Sequence, residues 1–120
     1  MDPTRTGIEH RRAGDRERLG WIVPVADRFT AVDLLGRVVV ADVEWLDAEE
    51  ALDELGLAYL ADRWALMLPD GSAKRVRISQ LSPDGITVVD DDWGAAAAVG
   101  ASMTVRELPF PAPVELQHLG

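Results

Sequence analysis

Two Pro-Asp-Gly turns, Pro69-Asp70-Gly71 and Pro83-Asp84-Gly85, constrain the fold of this chain more than any other feature. In each, proline pre-sets one backbone φ and glycine tolerates a positive φ close by. Between them, Lys74-Arg75-Val76-Arg77-Ile78-Ser79 alternates polar with β-branched side chains, the pattern of a half-buried strand. A three-strand antiparallel meander is therefore expected over Trp64–Leu68, Lys74–Leu81 and Ile86–Asp90.

Upstream, Trp21-Ile22-Val23-Pro24-Val25 reads as a short strand, and Pro24, which lacks an amide donor, points to a sheet edge. Arg37–Trp45 is the strongest single strand, with Gly36 before it a turn or bulge. Alternation puts Ala41, Val43 and Trp45 on one face and Asp42 and Glu44 toward water. The period then changes to that of a helix. Asp47 suits the N-cap, with Glu50 three residues on in a capping-box arrangement. Ala48, Ala51, Leu52 and Leu55 form one apolar stripe, Gly56 is placed for a left-handed C-terminal cap, and Leu57 is placed to close back on Leu52.

Leu57–Leu68 fits a helix or a strand, and the Pro-Asp-Gly turn after it makes its second half a hairpin arm. Gly94–Gly100 is a small-residue stretch without direction, Met103–Leu108 a last strand, and Pro109–Pro113 an extended polyproline segment. Phe110, between two prolines, is expected to make ordered apolar contacts, with its own domain in preference to a neighbour.

A chain of 120 residues, 48% hydrophobic with four tryptophans, is long enough for one compact core. The expected organisation is a charged, flexible arm over residues 1–19, a single β-rich domain over 20–108 and a Pro-rich tail over 109–120. The fold class is mainly β or α+β: a small antiparallel barrel or roll with one short inserted helix. The Trp64–Leu68/Lys74–Leu81 hairpin resembles those of SH3-like small barrels, which implies an architecture and no activity.

The formal net charge is −9. Met1–Leu19 carries Arg5, Arg11, Arg12, Arg16 and Arg18 against Asp2, Glu9, Asp15 and Glu17, so the acidic excess falls on the body. Such a body repels phosphate backbones, which argues against nucleic-acid binding and favours a basic protein partner or self-association. The chain has no cysteine, which excludes disulfides and thiolate chemistry and is compatible with a reducing cytoplasm. No apolar run approaches the length of a membrane span, and Met1–Gly20 has no apolar core of a secretory signal. Arginine far outnumbers lysine, with Lys74 alone, a bias expected of a GC-rich bacterial genome.

Four constellations bear on function. Glu49, Glu50, Asp53 and Glu54 lie opposite the helix's apolar stripe, with like charges at i, i+4 that cost a few tenths of a kcal/mol each. With Asp42, Glu44, Asp47 and Asp62 they make a negative ridge suited to an Arg/Lys-rich partner. Asp90-Asp91-Asp92 is expected to be a strand-end turn rather than a metal site, because neighbouring strand residues point to opposite faces. Among the tryptophans, Trp45 and Trp64 sit at core positions, whereas Trp21 and Trp93 adjoin glycines and are candidates, with Phe110, for a binding surface.

The fourth is Gln80-Leu81-Ser82-Pro83-Asp84-Gly85-Ile86. It resembles the Asp/Asn-x-Ser-x-x-Gly signature of PilZ domains, small barrels that bind cyclic di-GMP, with Gln80 standing where the family has Asp or Asn. Arg12-x-x-x-Arg16 is similar to that family's Arg-x-x-x-Arg motif but lies far upstream. The resemblance implies a ligand site on Arg12, Arg16, Ser82 and Gly85; a plain hairpin turn explains the same residues.

No catalytic constellation emerges. His10 and His118 fall in the expected arm and tail, away from any packed cleft, and no serine has a histidine base within a structured element. The leading expectation is thus a non-catalytic acidic interaction module (adaptor, assembly subunit or inhibitor/immunity-type protein) with no cofactor. The alternative is a PilZ-like cyclic-dinucleotide binder.

Overall fold

A computed structural model describes residues 3–91 and 104–120 of the chain. They divide between two compact units, Met1–Leu57 and Ala58–Gly120. The fold is α+β and mainly β, with one short helix, as the sequence predicts. Its strands form two antiparallel sheets, one in each unit.

In the first unit a single helical turn, α1 (Pro3–Thr6), leads into β1 (Ile8–Arg11), β2 (Arg18–Val25), β3 (Arg28–Asp33) and β4 (Val38–Val43), which pair in sequence order. The helix α2 (Trp45–Leu55) follows. Its Ala48 and Leu52 pack with Leu19, Ile22 and Ala31 of the sheet, and Phe29, Val40, Val43, Trp45 and Leu57 close around that cluster. Gly20 permits the approach: a Cβ there would lie 2.1 Å from the Val32 carbonyl oxygen and 3.2 Å from the Leu52 side chain.

Several sequence expectations are corrected in this unit. Residues 1–19 do not form a loose arm throughout: Ile8, Glu9 and His10 pair with Ile22, Trp21 and Gly20, and Leu19 is fully buried. Backbone hydrogen bonds to β2 hold this strand although it brings few apolar side chains. Pro24 does not mark an edge strand, because β2 has a neighbour on each side. The proline lies beyond Ile22, where β1 begins, and so faces only β3.

The Arg37–Trp45 strand ends early. Phe29 pairs with Val43 and Ala31 with Val40, so a bulge interrupts the alternation, and Asp42 takes φ 58° inside it. Val40 and Val43 turn toward the core while Ala41 is exposed. Arg28 clasps this bulge, donating to the Asp42 carbonyl at 2.7 Å and to Glu44 Oε1 at 2.9 Å. Trp45 then opens α2, with Glu44 at the N-cap and no side-chain cap, so Asp47 caps nothing and sits in the first turn. At the far end Gly56 closes the helix, donating its N–H to the Leu52 carbonyl, but with φ 60° and ψ −143° it lies outside the left-handed helical region expected for it.

The β3–β4 turn is organised by Asp33. Its Oδ1 accepts the N–H groups of Leu35 and Arg37, each at 2.9 Å. Burial nevertheless pushes this carboxyl above its ordinary range, outweighing those hydrogen bonds.

The second unit starts with a 3₁₀ turn, Ala58–Ala61. The expected meander follows as β5 (Trp64–Met67), β6 (Ala73–Ser82) and β7 (Gly85–Asp90). Gly71 takes φ 88° and Asp70 Oδ1 accepts the N–H and hydroxyl of Ser72, which sets the first turn. Two more strands flank the meander, β8 (Val105–Leu108) on β7 and β9 (Leu116–His118) on β5.

The last of these corrects the reading of residues 109–120 as only a tail. Leu116 is fully buried, and the Met67 N–H donates to the Glu115 carbonyl at 2.9 Å. Trp64 is buried as expected; its Nε1–H donates to the Tyr59 carbonyl and its ring lies 4.8 Å from that of His118. Phe110 is half-buried within this unit.

Candidate functional site

The surface of α2 carries the residues singled out for partner binding. Glu49 and Asp53 lie one turn apart and both meet His10, which β1 delivers by pairing with Gly20. The imidazole Nε2 is 2.9 Å from Asp53 Oδ1 and Nδ1 is 3.4 Å from Glu49 Oε2. The histidine side chain is only 12% exposed, so it is a packed element of the unit and not part of a solvated arm. Asp47, Glu50 and Glu54 are exposed and make no ion pair among the described residues. Leu46, 69% exposed, stands among them. The structure thus separates the acidic set into a pair held by His10 and an outward trio; Asp42 and Glu44 are met by Arg28.

Trp21 is not a surface residue. It is 4% exposed, its Cβ lies 2.9 Å from where a Cβ on Gly7 would be, and the Arg18 guanidinium stands 5.4 Å from its ring centre. The adjacent glycine made it look like a strand end, whereas it is the middle of β2. Trp93 and Asp92 lie outside the described residues. Asp90 ends β7 with ion pairs to Arg106 at 3.1 Å and Lys74 at 4.0 Å. Among the described residues no group of three or more His, Asp or Glu side chains is arranged to hold a metal ion.

Ser82 and Gly85 face each other across the β6–β7 hairpin, whose two-residue loop is Pro83-Asp84. The Ser82 hydroxyl accepts the Asp84 N–H at 3.1 Å. Gly85 does not take a positive φ; it opens β7, and a Cβ there would touch only the Leu108 carbonyl oxygen at 3.4 Å. Beside it is a hollow of about 410 Å³ whose lining includes Gln80, Ser82, Asp84, Gly85, Thr87 and Glu107.

Thr87 and Glu107 were not legible as site residues, since only the pairing of β8 with β7 sets them side by side. Arg12 and Arg16 belong to the first unit, in the β1–β2 turn, where Arg12 is paired with Asp15 and the Arg16 carbonyl accepts from Arg11. That pairing lowers the Asp15 carboxyl to about 2.

Comparison with protein-family models, with curated proteins and with solved structures finds no match for this chain. No helix among the described residues is long and apolar enough to cross a membrane.

Proposed function

We propose that this chain is a non-catalytic, acidic protein-interaction module, cytoplasmic as its cysteine-free composition allows, that takes a basic protein partner. The observation that carries the reading is the outward trio Asp47, Glu50 and Glu54 on α2, which no basic side chain of the described residues neutralises. The fold supports this by rigidity: Ala48 and Leu52 anchor the helix on the sheet, and His10 holds Glu49 and Asp53 at its side. Carboxylates fixed on a packed helix attract a cationic surface at long range and lose that attraction as salt screens them.

The test is capture of partners on the immobilised chain at low and high salt, with a Glu50→Lys/Glu54→Lys variant alongside. A basic protein retained at low salt, released at high salt and lost on charge reversal is the expected result. Retention indifferent to both salt and charge reversal would refute the reading.

A further inference from the structure

The hollow beside Gly85 lies at the β6–β7 hairpin end of the second sheet. Cross-strand pairing joins Ser82 to Gly85 and sets Gln80, Thr87 and Glu107 in a row across β6, β7 and β8. Residues i and i+2 of a strand share a face, so Ser82 falls beside Gln80 and Gly85 beside Thr87. Gly85 is the one position of this group without a side chain, and the space its Cβ would enter is open but for the Leu108 carbonyl.

The lining joins apolar residues, Leu81, Ile86 and Leu108, to polar side chains of one kind. Gln80, Ser82 and Thr87 each offer an oxygen acceptor, Asp84 and Glu107 offer carboxylates, and no cationic residue is in the lining. Neither carboxylate makes an ion pair among the described residues. A phosphate group would meet two negative charges here and no cation, so the hollow does not suit a nucleotide. A planar guanidinium has five N–H donors and no acceptor, which suits these oxygens, and its aliphatic stem suits the apolar residues of the lining.

We infer that the hollow over Gly85 is a receptor for an arginine side chain of the basic partner. The inference rests on the interaction-module reading and adds a second contact to it, on the second unit, with a stated chemistry. A volume of about 410 Å³ holds one such side chain and its flanking backbone, not a folded element.

Titration of the full chain with the capped tripeptide Ac-Gly-Arg-Gly-NH₂, followed by amide chemical shifts, tests it. Millimolar-range binding is expected, with shifts centred on Ser82, Gly85, Thr87 and Glu107 and none from the citrulline twin. Glu107→Gln should weaken binding about tenfold, the scale of one charge-assisted hydrogen bond. Gly85→Val, which fills the space from a backbone any residue adopts, should abolish it while thermal unfolding shows the fold retained. If Gly85→Val unfolds the chain, Glu107→Gln alone decides.

Peptide shifts confined to Glu50 and Glu54 on α2 would overturn this inference and leave the interaction-module reading standing. Shifts nowhere, with folded protein, would overturn this inference, while the interaction-module reading stands or falls with the salt-dependent capture. Shifts at the hollow that spermidine reproduces at equal strength would also overturn it, because spermidine is cationic without the planar fork.

Discussion

His10 and Asp53 are 43 residues apart in the chain, yet the imidazole Nε2 of one lies 2.9 Å from the carboxylate of the other. The contact ties an edge strand to the helix that covers its sheet. His118 stands in a corresponding position in the second unit, on an edge strand and 2.8 Å from Asp62 just after the 3₁₀ turn. In both cases a short terminal strand with few apolar side chains gains a polar anchor on the sequence that packs beside it.

Removing the first anchor should loosen β1. His10→Ala is expected to destabilise the fold by about 1 kcal/mol, the usual range for a half-buried hydrogen-bonded pair. The amides of Ile8 to Arg11 should then exchange faster than those of β3. A denaturant midpoint and an exchange profile equal to wild type would show that backbone pairing alone holds the strand.

Deleting residues 109–120 removes β9, and with it fully buried Leu116. The expected loss is roughly 2–5 kcal/mol, the cost of emptying a large aliphatic site, and Leu116→Ala alone should account for most of it. Thermal melts of both variants check this. A truncated chain that melts with wild type would mean that β9 contributes nothing to the fold.

Asp33 gives a stability effect with a defined sign. Burial raises its carboxyl in the folded state, so the fold binds a proton there more tightly than the unfolded chain does. Its contribution is therefore fully present below the unfolded carboxylate value, about 4, and is lost as pH rises through the higher folded value. Asn at this position keeps an oxygen acceptor for the Leu35 and Arg37 N–H groups without the buried charge. Asp33→Asn should accordingly match wild type at acid pH and be at least as stable at pH 7. Measured stability of the variant falling below wild type only at pH 7 would reverse the sign and refute the argument.

Asp15 should behave in the opposite direction. The Arg12 guanidinium and the Glu17 N–H hold its carboxyl at about 2, against an ordinary 3.8. In an NMR pH titration Asp15 is expected to protonate only at about 2, and Arg12→Ala should return it toward the ordinary range. The pair is fully exposed, so the melting temperature should not respond.

The physics of what could be read from the sequence is local. The hairpins over Trp64–Asp90 follow from turn chemistry and period-two alternation contained in each segment, and the C-terminal cap of α2 from one glycine after an apolar stripe. Trp64 as core and the acidic face of α2 come from the same short-range patterns.

What tertiary structure decided depends on partners far along the chain. Asp42 forms a bulge because β3 pairs on both sides of it, so alternation alone assigned Ala41 to the wrong face. Trp21 is buried because β1 pairs across it and α1 leads into that strand. His10 and His118 acquire roles only once β1 and β9 are in register with β2 and β5. The hollow over Gly85 exists because β8 sets Glu107 beside Thr87. Sequence period specifies which way a side chain points within its own element. Which residues stand opposite is set by register between segments, and the free energy that fixes register resides in pairs no single segment contains.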